Sequence, residues 1–396
     1  MHIDSSRFPK SCVFVGLAAV LACVLVASCG QSRRGYVPQS KCKALTTSKL
    51  LVELPDICPT PDGMATDREG NIVVACPNYG DQSRPAVLMK IGKGNKANLW
   101  VHVPTHPDTG VACPMGIDFG PDGDLFVCDN QGWVKPNDKG RILRLRIRNG
   151  KVVKTTVVAD GMSHPNGIRV HEGKLYVTQS MLPKIKGPQV RFHRIDPNEH
   201  VSGGTASPSG GGIVLEQLVS AVYRFDIDDE NVKVSNTRDD KNLLIEFKTL
   251  NMNCQYGLDG IVFDKQGNLY VGNFGDGTLH KITFDAQGNV ASNTLYAKDK
   301  CMRTTDGICM DDAGNIYVAD FSENAVCVVR PGGKVEVLAR SPDCDGSKGG
   351  LDQPGEPIVR GNQLVVTCFD KVTGPDKVNT THDKPYTIAY IDLPAK

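Results

Sequence analysis

GLDGIVFDKQGNLYVGNFGDGTLHKITFD, residues 257–285, is the stretch from which the rest of the chain is read. Residues 261–263 are apolar and rich in strand formers, residues 264–268 carry Asp, Gly and Asn in turn order, and residues 269–271 are apolar again: the pattern of a hairpin. A Gly-rich turn leads to a third run at 278–284, and a fourth at 294–297 follows the turn at 286–289. Four short antiparallel strands in roughly 45 residues form one unit of a radial array, a propeller blade.

The unit recurs as PDGMATDREGNIVVA from Pro61, PMGIDFGPDGDLFVCD from Pro114, PNGIRVHEGKLYVTQ from Pro165, TDGICMDDAGNIYVAD from Thr305 and GEPIVRGNQLVVTCFD from Gly355. The middle residues of the opening triplets are Asp62, Met115, Asn166, Asp259, Asp306 and Glu356, separated by 53, 51, 93, 47 and 50 positions. One insertion, residues 183–220, therefore interrupts a regular period. The last copy has only three strands of its own, while an apolar run at 49–54 precedes the first copy. That N-terminal strand completes the last blade, closing the ring and removing two exposed sheet edges. The predicted fold class is all-β: a six-bladed β-propeller of four-stranded antiparallel blades spanning residues 44–396, one unit and a monomer.

Ahead of it, Arg7 and Lys10 precede an apolar run at 12–27 that ends in Val-Ala-Ser-Cys-Gly, residues 26–30. The run is short for a bilayer-spanning helix. It resembles a bacterial lipoprotein signal peptide, residues 1–29, with Cys29 as the lipidated residue. This places the propeller outside the cytoplasm, at a bacterial cell envelope and membrane-bound through its N-terminal lipid; Gly30 implies outer-membrane sorting in a Gram-negative cell. An uncleaved N-terminal anchor is the competing reading and leaves the propeller on the same side. Residues 30–43 read as a polar tether.

A net charge of +1 from 45 basic and 44 acidic residues, with no basic stripe, supplies no electrostatic footprint for nucleic acid. Of 14 cysteines, Cys12 and Cys23 leave with the signal and Cys29 would carry the lipid, which leaves 11, an odd number, so at least one thiol is free or paired between chains. Cys58 with Cys76, Cys113 with Cys128, and Cys344 with Cys368 sit where each pair could staple the top of one blade, against a reading as buried thiols; Cys254 and Cys301 occupy equivalent loops. No CxxC pair is present, which argues against zinc.

In such a ring the first residues of the innermost strands line the central channel, so Asp62, Met115, Asn166, Asp259, Asp306 and Glu356 should face one another. Four are carboxylates, and like charges crowded in a channel raise one another's pKa or recruit a cation. Donors that are all oxygen favour Ca²⁺, allow Mg²⁺ and disfavour Zn²⁺. One Asp-Gly is an ordinary turn dipeptide. Several at equivalent positions point to a cation site.

LDGIVFDKQGNLYVGNFGDGTLHKI, PNGIRV one blade earlier, and GEPIV followed by a hairpin resemble the gluconolactonase, senescence marker protein and luciferin-regenerating enzyme family of six-bladed propellers. The resemblance spans residues 50–393 and implies a divalent cation held by Glu356, Asn166 and Asp259. It further implies hydrolysis of a small-molecule lactone or related ester, with Asp259 as general base. Asp62 and Asp306 would stand behind the ligands or position water, and His164 would contact substrate or carry a proton. Met115 departs from the family, whose lactonases often carry an Asn or Arg for the substrate in that blade. The copies at Asp62 and Asp306 also resemble NHL-type repeats, which gives the alternative of a non-catalytic propeller binding a protein or glycan. A quinone-dependent sugar dehydrogenase would need basic groups over its cofactor. No Gly-x-Ser-x-Gly elbow is present, which argues against a serine hydrolase.

Overall fold

Asp264 shows why the quoted stretch turns where it does. Its Oδ1 accepts hydrogen bonds from Gln266 N at 3.0 Å and Asn268 N at 2.8 Å, and Gly267 takes the left-handed φ of +77° that closes the turn. The same side-chain turn recurs at Asp67 and Asp311. The flanking runs become Leu258–Phe263, Leu269–Asn273, Thr278–Phe284 and Val290–Lys298, one four-stranded antiparallel sheet. Ile261, Leu269, Val271 and Ile282 are fully buried and pack on Tyr176 and Val222 of the preceding sheet.

The computed structural model describes residues 39–79, 81–132, 137–192, 213–371 and 377–394. Six sheets surround one axis, with inner strands Met64–Thr66, Pro114–Phe119, Pro165–His171, Leu258–Phe263, Ile308–Met310 and Pro354–Arg360, numbered here as blades 1 to 6. Each inner strand touches the next, and that of blade 6 touches that of blade 1. Lys49–Glu53 pairs antiparallel with Thr387–Asp392, so the N-terminal strand completes blade 6 as the sequence predicts. The apolar cores lie between neighbouring blades, for example Leu51 and Ile388 of blade 6 against Ile72 and Met89 of blade 1.

The glycines that follow the channel residues let the inner strands approach. A Cβ on Gly63, Gly116, Gly167 or Gly260 would come within 3.0 Å of the carbonyl oxygen of Met115, Asn166, Asp259 or Asp306 on the next blade. Gly167→Ala is therefore expected to cost about 1–3 kcal/mol by overpacking, read as a lower denaturation midpoint; an unchanged midpoint would show that the strands can spread.

Two features depart from the regular scheme. Blade 2 carries a fifth strand, Val232–Lys233, which pairs parallel with Ala159 and Asp160 and comes from a connection within blade 3. The insertion in blade 3 forms a hairpin, Gln189–Phe192 with Ile213–Glu216; its Gly-rich part lies outside the described residues.

Residues 1–38, with the signal peptide and Cys29, also lie outside them. The end of the segment read as a tether is docked along blade 5. Gln39 Nε2 donates to Glu323 O at 2.7 Å and Ser341 O at 2.6 Å, and Arg340 donates to the carbonyls of Ser40 and Cys42 at 2.7 and 2.8 Å. Cys42 forms a disulfide with Cys301. The suggested blade staples are not formed: Cys58, Cys76, Cys113, Cys128, Cys344 and Cys368 are free thiols. For Cys113 and Cys128 the ladder gives the reason. Cys113 O is bonded by Asn130 N, two residues past Cys128, whose thiol is directed instead at Gly167 O of blade 3.

Candidate functional site in the channel mouth

The channel brings together most of the residues that the repeat predicts. Asn166 Nδ2 donates to Asp259 Oδ2 at 2.8 Å and also lies 3.2 Å from the Tyr256 hydroxyl and 3.4 Å from Ser180 Oγ. The carboxyls of Asp259 and Asp306 share a hydrogen bond. Asp62 and Met115 are buried in the same ring, and Asp62 Oδ1 lies beside Gly355.

Glu356 is the exception, and ladder register explains it. In blade 4, Leu258 pairs with Asn273 and Ile261 with Val271; in blade 6, Pro354 pairs with Cys368 and Pro357 with Val366. The counterpart of Asp259 is therefore Gly355, and Glu356 stands where the other blades have the glycine. The hydrogen bonds agree: Glu356 N donates to Thr367 Oγ1 as Gly167 N donates to Thr178 Oγ1, both at 2.8 Å. A shift of one residue turns a strand side chain to the opposite face. On that face, the Glu356 carboxylate accepts from Arg169 Nη2 at 2.6 Å, and the same guanidinium donates to Ile308 O at 3.1 Å. Asp118 lies close to this pair. The sequence does carry the signal: five triplets have Gly third, whereas Gly355-Glu356-Pro357 has it first.

Burial dominates the electrostatics. It raises the Asp62 carboxyl to about 7, helped by the Glu356 charge. It also lifts Asp259 and Asp306 well above the carboxylate range, with repulsion among the channel acids adding to the effect. Burial raises Glu356 too, opposed by Arg169. His164, in the connection between the outer strand of blade 2 and the inner strand of blade 3, is buried, which pushes its pKa down to about 4, so the ring is neutral at pH 7; its Nδ1 lies 3.0 Å from Asn130 Nδ2.

A carboxyl whose folded pKa exceeds its unfolded value binds protons preferentially in the folded state, so its contribution is complete below about pH 4 and is lost as pH rises through about 7. Asp62→Asn removes this dependence. The variant is expected to gain on the wild type by on the order of a few kcal/mol between pH 5 and pH 8 in chelator, measured by chemical denaturation; a constant difference would show that Asp62 titrates normally.

Above the acids lies a feature the sequence reading missed. Phe274, Phe321 and Phe369 each directly follow the second strand of their blade and form an apolar cluster joined by Tyr79 and Tyr256. Successive ring centroids are 5.9 Å apart for Tyr79–Phe369, 5.7 Å for Phe369–Phe321, 5.8 Å for Phe321–Phe274 and 5.2 Å for Phe274–Tyr256. The available signal was an aromatic residue after the second apolar run in three consecutive repeats.

Burial and repulsion leave these carboxyls in need of protons or a cation, and their oxygens together with the Asn166 amide suit a hard divalent ion. Among the described residues, no three His, Cys, Asp or Glu side chains group closely enough to hold a metal. A cation here would therefore rest on two carboxylates and one amide, Asp259, Asp306 and Asn166. Glu356 does not fit that set, because Arg169 already neutralises it.

No family model and no curated protein matches the chain. Solved structures match its fold. A gluconolactonase from Xanthomonas campestris is 14% identical with a TM-score of 0.52, over 90% of this chain and 99% of that one. Regucalcin from Agrobacterium tumefaciens, described as a calcium-binding protein, is 14% identical with a TM-score of 0.52, over 89% and 98%. A luciferin-regenerating enzyme is 12% identical with a TM-score of 0.50, over 87% and 94%. At these identities the shared property is the fold: this chain is a six-bladed β-propeller structurally similar to gluconolactonase, regucalcin and luciferin-regenerating enzyme.

Proposed function

We propose that the protein is a divalent-cation-dependent hydrolase of a lactone or related ester, exported and anchored by a lipid on Cys29 at a bacterial cell envelope. The observation that carries the activity is the buried contact of Asn166, Asp259 and Asp306 at one end of the channel. Asn166, Asp259 and Asp306 would hold the cation, with Ca²⁺ preferred for its affinity for oxygen donors. When bound, it would polarise the acyl carbonyl and acidify a water.

The chain's own groups then divide the proton work. Asp259, oriented by the Asn166 amide, accepts the proton of the attacking water. Asp306, whose carboxyl meets that of Asp259, would share the cation with it, and the proton that Asp259 takes from the water then passes to the departing alkoxide. The Tyr256 hydroxyl, whose pKa burial and then Asp259 push well up, stays protonated and available as a donor. His164, neutral and packed edge-on against Tyr256, holds that ring in place.

Elemental analysis for calcium together with turnover on a lactone and ester panel tests this reading; no turnover of any member, with or without added Ca²⁺, rejects it. The anchor is tested separately. Labelled palmitate is expected in the wild type and absent from Cys29→Ser, and equal labelling of the two removes the lipid.

A further inference from the structure

We infer that the substrate of this site is an apolar lactone or ester, with an aryl or medium-length alkyl body, and not a polyhydroxylated sugar lactone; this rests on the hydrolytic reading above. Phe274, Phe321 and Phe369 occupy the residue after the second strand in blades 4, 5 and 6. In blade 3 that place belongs to Ser180, whose Oγ lies 3.4 Å from the Asn166 amide, so the position looks into the channel mouth. The phenylalanine rings touch across three sheets and reach Tyr79 of blade 1. Side chains from four blades meet only where the blades converge, around the axis.

The floor agrees with the wall. Met115, 2% exposed, is the ring residue of blade 2 and offers a thioether where a polyol needs donors and acceptors. Blades 2 and 3 supply polar groups at the mouth, where Asn130 meets His164 and Ser180 meets Asn166, and blade 6 adds the Lys371 ammonium, held 4.9 Å over the Tyr79 ring. A lactone would therefore place its ester group toward Asn166 and Asp259 and its hydrocarbon body against the rings, where aromatic contact is favourable. A sugar lactone would set hydroxyls against phenyl faces without partners, each losing roughly tenfold in binding. The reaction is simple hydrolysis: water's oxygen bonds to the acyl carbon, one of its protons going to the base, the ring C–O bond breaks, and the base returns that proton to the released alkoxide, giving a hydroxy acid.

The test compares dihydrocoumarin and γ-nonalactone with gluconolactone on the whole protein. The apolar lactones are expected to show kcat/KM at least about tenfold higher. Phe321→Leu, with Phe274→Leu in reserve should it not fold, is expected to narrow that ratio severalfold, and Met115→Asn to shift it toward gluconolactone. Gluconolactone turned over as well as the apolar lactones overturns the inference and leaves the hydrolase reading standing. If no lactone is turned over, the hydrolase reading fails and calorimetric titration with lactam isosteres decides. Tighter binding of dihydrocarbostyril than of gluconolactam supports the apolar mouth, and equal or absent binding overturns it.

Discussion

Asp259→Ala is expected to lower kcat on the best lactone by at least about a hundredfold, the scale of losing a positioned general base. Asp259→Asn should match it, because the amide keeps the shape and the contact with Asn166 but takes no proton. Neither variant should lose stability in the absence of cation at pH 8. Asp259 is buried beside Asp306 and near Asp62 and Glu356, so its ionised form is held at a cost that a neutral side chain relieves. The paired measurement is initial rate and thermal midpoint on the same preparation. Unchanged turnover in Asp259→Ala would reject the proposed role, and collapse of the midpoint would reduce Asp259 to a structural residue.

Arg169→Met should be the most destabilising single change in the channel. It leaves Glu356 with no counter-charge near Asp118, and stranding one member of a buried ion pair typically costs about 3–5 kcal/mol. Arg169→Met combined with Glu356→Gln should recover much of that loss, since the pair as a unit contributes little net stability. The same residues separate the two possible cation sets. Titration calorimetry with Ca²⁺ is expected to show near-normal affinity for Glu356→Gln and clear weakening for Asp306→Asn. The opposite pattern would return Glu356 to the ligand set and remove Asp306.

The contrast between Asp259 and Glu356 shows how much of the site was legible in one dimension. Asp62, Asn166, Asp259 and Asp306 are each followed by a glycine that a neighbouring inner strand presses against, so the triplet itself marked where they would stand. Glu356 has Gly355 before it and Pro357 after it. Aligning the copies by their acidic residue gave a register one position different from alignment by glycine, and only the pairing of Pro357 with Val366 chooses between them. The aromatic wall was hidden for a related reason. Phe274, Phe321 and Phe369 lie about 50 residues apart, and their sequence neighbourhoods do not reveal that a radial array brings equivalent positions together.

The sequence by itself determined the all-β class, the six repeats, the hairpin turns and the closure by the N-terminal strand. These depend on local chemistry: alternation with period two, Asp and Gly turns, and an unpaired edge at each end of the chain. The tertiary structure decided which face Glu356 occupies, that Cys42 ahead of the first strand pairs with Cys301, and that five aromatic rings stand over the carboxyls. Each of these depends on contacts between segments far apart in the chain, where a one-residue change of register or a docked strap reverses the outcome without altering any local pattern.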